Sequence, residues 1–266
     1  MILAIIKGLT MQKILGLTRR AIDDYKMIKE GDKIAVGVSG GKDSICLLAV
    51  LNAYKKFAPY KFDIIAININ LGFEQTKAEE VQALKDFCKQ QDIPLIIHDT
   101  DIAKIIFEDR KEKSPCSLCS KMRRGALNTV AIQHGCNKIA LGHNADDILE
   151  TMLMCLMNEG RFSTFSPVSF MDRTNMTLIR PFIYIEEKYL AALCKKYNFP
   201  IVHNPCPKDK NSNRSETKQL IEQLNNKTLG TKQIMLGAIY NPSRNNLWDT
   251  SVPKDYQREN DENRKI

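Results

Sequence analysis

The chain has 266 residues, enough for one large domain or one domain with a small appendage, and 43% of them are hydrophobic, enough for a substantial core. A formal charge of +8, from 39 basic against 31 acidic residues, excludes an acidic, solvating composition. It suits a polyanionic partner, although it also describes an ordinary basic protein. No apolar run approaches the roughly 18 residues that span a bilayer. The opening stretch from Met1 to Lys7 has no preceding basic region and no small-residue cleavage site, so a soluble, cytoplasmic protein without a membrane partner is expected.

In chain order, residues 11–28 place Ile14, Leu15, Ile22, Tyr25 and Ile28 at helical spacing, and residues 1–10 lie outside that pattern. Residues 34–38 read as a buried parallel strand that turns through two glycines into a helix beginning near Asp43. Strands are expected at 62–69, 94–98, 138–142 and 177–180. Helices are expected at 75–91, 117–134, 145–157 and 186–197. This alternation predicts an α/β fold, a parallel sheet with helices on both faces, whose ligand sits at the carboxyl ends of the strands. Composition turns polar near 207, one helix-like run follows at 215–225, and the tail beyond about 245 holds little that can pack. The expected organisation is an N-terminal helical segment (1–29), a central α/β domain (30–205) and a C-terminal helical extension with a poorly ordered tail (206–266).

The most informative stretch is Ser39-Gly40-Gly41-Lys42-Asp43-Ser44, which joins the first strand to its helix. Glycines let the backbone approach an anion closely, and the free N–H groups of a helix's first turn point at it. Ser39 and Ser44 add hydroxyls and Lys42 a positive charge. Asp43 beside a phosphate needs a reason: it caps the helix or holds a bridging metal ion. The spacing is neither a Walker A loop nor a dinucleotide fingerprint.

Three of the eight cysteines stand apart from the rest. Cys116 and Cys119 form a C-x-x-C at a helix start, a spacing that serves a metal centre or a redox pair. Cys206 lies between two prolines, in rigid non-helical backbone. Adding His203 to the three thiols gives a closed zinc set. The three thiols alone suit a cubane iron–sulfur cluster with one iron lacking a protein ligand. Arg123 and Arg124 follow on the same helix, as a solvated face or as a basic patch for phosphates. Gly142-His143-Asn-Ala-Asp146-Asp147 puts two carboxylates just after a strand. One can serve the helix N-terminus, and the other can hold Mg²⁺. His143 contacts nucleotide or substrate, or is structural.

Together these motifs resemble the tRNA 2-thiocytidine synthetase family of PP-loop ATP pyrophosphatases. The pieces are Ser39–Ser44, Cys116 and Cys119 with Arg123-Arg124-Gly125, Gly142-His143 with Asp146-Asp147, and Cys206, in the family's order over roughly residues 30–210. The resemblance implies that residues 30–205 form a PP-loop ATP pyrophosphatase domain, adenine nucleotide alpha hydrolase-like. It implies ATP with Mg²⁺ on Ser39, Gly40, Gly41, Lys42, Asp43, Ser44, Gly142 and His143, and a 4Fe–4S cluster on Cys116, Cys119 and Cys206. It implies a tRNA partner whose anticodon-loop cytidine is adenylated and exchanges its C2 oxygen for sulfur, with Asp147, Asp146, Arg123 and Lys42 in catalytic roles. A homodimer is also implied, with a sulfur donor such as a cysteine desulfurase or free sulfide. The chain departs from enterobacterial members, which carry a second C-x-x-C where Cys206 stands alone. The alternative is a PP-loop enzyme with structural zinc acting on another nucleotide or a small molecule.

Overall fold

The computed structural model describes residues 11–75, 77–112, 115–203, 205–208 and 213–245. The expected leading extension (1–10) and most of the tail (246–266) lie outside the described residues. Six strands form one sheet: β1 (Lys33–Gly37), β2 (Asp63–Asn70), β3 (Leu95–Asp99), β4 (Lys138–Ala140), β5 (Val168–Met171) and β6 (Met176–Ile179), in the order β3-β2-β1-β4-β6-β5. The strands pair in parallel except β5, which runs antiparallel to β6. The sheet is therefore mostly parallel, as expected, and the β5–β6 hairpin is an addition the sequence reading did not include. A four-residue edge strand carries little periodicity, and the tight turn that makes it antiparallel rests on Asn175 in left-handed backbone.

The helices are α1 (Met11–Asp24), α2 (Lys42–Lys55), α3 (Ala78–Gln90), α4 (Pro115–Gln133), α5 (Ala145–Glu159), α6 (Glu187–Tyr197), α7 (Asn213–Lys227) and α8 (Thr231–Tyr240). Residues 44–51 of α2 are all buried, so this helix is apolar on every side and sits among α1, α6 and the sheet. Alternation along the strands divides the core. Ala35 on β1 and Ile65 and Ile67 on β2 pack with Leu127, Val130 and Ala131 of α4, while Ile34, Val36 and Ala66 point the other way. Among the described residues no helix is long and apolar enough to cross a membrane. The chain divides into two compact units, residues 1–222 and 223–266. In the second, α8 starts after Gly230 in left-handed backbone, a helix the sequence reading missed.

The amino ends of β1 and β4 are tied by a buried ion pair. Lys138 Nζ lies 2.8 Å from Asp32 Oδ2 and donates to the Met27 carbonyl at 2.7 Å, and Asn137 donates to Asp32 Oδ1 at 2.8 Å. Neither charge has water to fall back on. Asp32→Ala strands the Lys138 ammonium, and the expected cost is about 3–5 kcal/mol, read as a large fall in denaturant midpoint with unchanged slope.

Candidate active site at the carboxyl edge of the sheet

Strand order reverses between β1 and β4, and the crevice between their loops is where open α/β sheets take ligands. The loop after β1 is the Ser39–Ser44 turn. Gly40 has φ of 87° and Gly41 is the N-cap of α2, with no side chain capping that end. Asp43 is therefore not the cap. The Ser44 hydroxyl donates to the Gly41 carbonyl at 2.8 Å and lies 3.2 Å from the Ser39 hydroxyl. The loop thus presents an uncapped helix end flanked by two hydroxyls, the arrangement an anionic phosphate needs. The loop after β4 presses on it: a Cβ at Gly142 would stand 3.0 Å from the Asp43 carbonyl carbon.

Carboxylates crowd this edge. Asn144 is the N-cap of α5, accepting from the Asp146 and Asp147 amides. Asp147 completes a capping box by accepting from the Asn144 amide at 2.9 Å. Its other oxygen meets Arg214 Nη1 at 2.9 Å. Asp146 accepts the Glu187 amide at 2.7 Å, bracing the start of α6. Both acids therefore have structural duties, and it is Asp43 that has an oxygen to spare: its Oδ1 is buried without a hydrogen-bond partner among the described residues. An orphaned buried carboxylate oxygen beside a phosphate loop fits a divalent cation. Burial pushes the Asp43 carboxyl up to about 6 against the pull of Lys42. Glu150 is pushed up to about 7 by burial, with the Asp147 charge adding to it.

Three cations answer them. Lys42 Nζ lies 2.6 Å from Glu187 Oε1 and 3.1 Å from Asp43 Oδ2. Burial opposes its charge, but Asp43 and Glu187 outweigh burial and hold it above the usual lysine range. On α7, Arg214 reaches Asp147 and lies 3.6 Å from Glu150, and Lys218 pairs with Glu187. Glu187, Glu150, Arg214 and Lys218 escaped the sequence reading. Only the i, i+4 spacing of the two basic residues on α7 hinted that one face of that helix was charged.

His143 is held neutral. Burial, reinforced by Arg180, Arg214, Arg124 and Arg123, keeps it down at about 3. Arg180 Nε lies 3.3 Å from His143 Nδ1, and the imidazole packs at 5.0 Å from the Phe165 ring. An arginine only donates, so Nδ1 accepts and Nε2 carries the proton. Buried Arg180 is a further residue that the sequence did not single out; it also donates to the Ser166 carbonyl and lies over Phe165.

Cys119 lies within electrostatic reach of both Cys116 and Cys206. Cys119 is raised by burial, lowered by exposed Arg123, and raised again by the charges of Cys206 and Cys116. Three soft thiols without a carboxylate among them suit iron–sulfur ligation. Among the described residues no three His, Cys, Asp or Glu side chains stand close enough together to hold a metal ion. His203 is turned to Glu80, with Nδ1 2.8 Å from Oε1, so the zinc set that included it is not brought together. Cys46, Cys88, Cys136 and Cys194 are buried, as small hydrophobes are.

A family model described as a PP-loop domain matches residues 13–224. A tRNA-cytidine(32) 2-sulfurtransferase of Syntrophotalea carbinolica is 36% identical over 95% of this chain and 97% of its own length. One from Geobacter metallireducens is 35% identical over 91% and 95%. The chain belongs to the tRNA-cytidine(32) 2-sulfurtransferase family of PP-loop proteins. Among solved structures, the U34-tRNA thiolase NcsA of Methanococcus maripaludis, determined with its 4Fe–4S cluster, superposes with a TM-score of 0.69 at 28% identity, covering 84% of this chain and 76% of that one. The NMN synthetase of Francisella tularensis shares the fold at a TM-score of 0.51 and 13% identity, over 93% and 100% of the two chains.

Glu150 gives the site a measurable pH signature. Its folded-state pKa lies above the unfolded one, so the folded protein binds the extra proton and stability falls as pH rises from about 4.5 through about 7. Glu150→Gln is expected to raise the midpoint of thermal unfolding at pH 8, by up to about 3 kcal/mol in stability, and to leave it unchanged at pH 4. Paired melts at the two pH values check this.

Proposed function

We propose that this protein is an ATP-dependent tRNA sulfurtransferase that adenylates an anticodon-loop cytidine and replaces its C2 oxygen with sulfur. The observation that carries the reading is the uncapped phosphate loop with the orphaned Asp43 oxygen beside it, in a chain whose Cys119 lies within electrostatic reach of Cys116 and Cys206. The names of the relatives place their target at cytidine 32, and we assign the same position here.

The ATP phosphates lie on the Ser39–Ser44 turn, with Lys42 leaving Glu187 to meet them. Asp43 would hold Mg²⁺, which would polarise the phosphate oxygens. The cytidine C2 oxygen attacks the α-phosphorus: a new O–P bond forms, the α–β bridging bond breaks, and pyrophosphate leaves. Helix N–H groups and Lys42 stabilise the charge that develops. His143 offers its Nε2–H as a neutral donor to nucleotide or base, and Arg123 steadies the adenylate. Asp147 and Asp146 hold the acidic edge in register, with Asp147 exchanging its Arg214 contact as phosphates arrive. Cys116, Cys119 and Cys206 would hold a 4Fe–4S cluster, which supplies an iron able to present inorganic sulfur. Sulfide addition at C2 with loss of AMP then completes the exchange. A flipped-out loop cytidine is reached without opening a duplex.

We assign the protein to the cytoplasm, where tRNA and reduced thiols coexist. A cysteine desulfurase or free sulfide is assigned as the sulfur source. A homodimer fits the exposed apolar side chains of Met157, Phe162 and Phe170.

The test is anaerobic purification followed by iron and zinc analysis, a visible spectrum and a tRNA thiolation assay. About four irons per chain with a broad band near roughly 400 nm are expected. Cys206→Ser should abolish band and thiolation while ATP binding persists. Stoichiometric zinc with no band after reconstitution would contradict the reading.

A further inference from the structure

The segment carrying Cys206 is fastened at two consecutive residues. The Val202 amide donates to the Gly40 carbonyl at 2.9 Å, inside the phosphate loop. The fit is tight: a Cβ at Gly40 would lie 2.6 Å from the Val202 Cβ. At the next residue the His203 amide donates to Glu80 Oε2 at 2.7 Å, and the His203 ring pairs with Oε1 at 2.8 Å. Glu80 stands in the first turn of α3, so both oxygens of one carboxylate on a helix reach one residue of an exposed strap, with Lys77 Nζ also 3.5 Å from Oε1. An exposed ion pair of this kind adds little to global stability. Two bonds to one residue do fix His203, and Pro205 and Pro207 restrict the backbone on either side of Cys206.

We propose that Glu80 is a positioning residue that fastens Val202 and His203, so that the nucleotide loop and Cys206, three residues further on, are tethered to each other. This rests on the reading above, in which Ser39–Ser44 binds nucleotide and Cys206 ligates a cluster. Coupling of this kind is reciprocal: a ligand that orders Gly40 restrains Cys206, and restraint of Cys206 favours that ligand.

The test uses the full chain without iron first. Cys206 alkylation by iodoacetamide is timed by mass spectrometry, with and without ATP and Mg²⁺. In the unaltered protein nucleotide should slow Cys206 by about fivefold or more. Glu80→Ala should alkylate faster at Cys206 and lose the nucleotide effect while still binding ATP. Glu80→Gln keeps an acceptor for the amide and a donor for the ring, and should behave as the unaltered protein does. If Glu80→Ala loses its helical circular dichroism, His203→Ala, which removes only the ring contact, should show the same acceleration to a smaller degree. After anaerobic reconstitution, iron loss to a chelator should be several-fold faster in Glu80→Ala. Identical Cys206 kinetics and an intact nucleotide effect in Glu80→Ala or His203→Ala overturn the proposal. A protein that takes up no iron overturns the cluster reading instead, and the alkylation arm still decides the role of Glu80.

Discussion

The structure depends on close backbone contact at two glycines. Gly40 lets the Val202 strap lie against the phosphate loop, and Gly142 lets the loop after β4 lie against Asp43. A side chain at Gly40 would have to push Val202 aside, and one at Gly142 would crowd the Asp43 backbone. These contacts place three loops, after β1, after β4 and around Cys206, against one another at the switch point of the sheet. The Ser39–Ser44 turn, Asp43, His143, Asp146 and Asp147 all hang on the first two of those loops or on the helices that start from them.

The second constraint is electrostatic. Asp43, Asp146, Asp147, Glu150 and Glu187 gather where phosphates must also come, with Lys42, Arg214 and Lys218 between them. The carboxylates alone would repel ATP, and the cations alone would leave no place for Mg²⁺. Together they form a set of exchangeable pairs. The lysine and arginine side chains have carboxylate partners here and, on the proposed reading, would exchange them for phosphates, so the charged atoms need not be stranded at either stage. The buried Asp43 Oδ1, without a hydrogen-bond partner among the described residues, marks a place where a cation would satisfy a carboxylate oxygen.

Much of this was legible in the sequence, because the informative signals are local. Ser39–Ser44 needs only a strand, two glycines and a helix start to declare a phosphate loop. Cys116 and Cys119 are one helical turn apart. The helix–strand alternation gave the sheet to within a residue or two at most boundaries. What was hidden depends on distance. Glu187 meets Lys42 only because α6 packs beside α2, and Arg214 meets Asp147 only because α7 reaches back over the acidic edge. Asp146 and Asp147 looked alike in sequence. The capping box and the Glu187 amide tell them apart, and they direct attention to Asp43. The edge strand β5 was too short to show a period.

The central claim is that this edge activates a carbonyl oxygen by transferring an adenylyl group to it. Isotope transfer tests that most directly. A tRNA carrying ¹⁸O at the C2 oxygen of the target cytidine should, on thiolation, deliver the label to the phosphate of AMP, one atom per sulfur gained. Unlabelled AMP, or ADP and phosphate as the nucleotide products, would contradict the account.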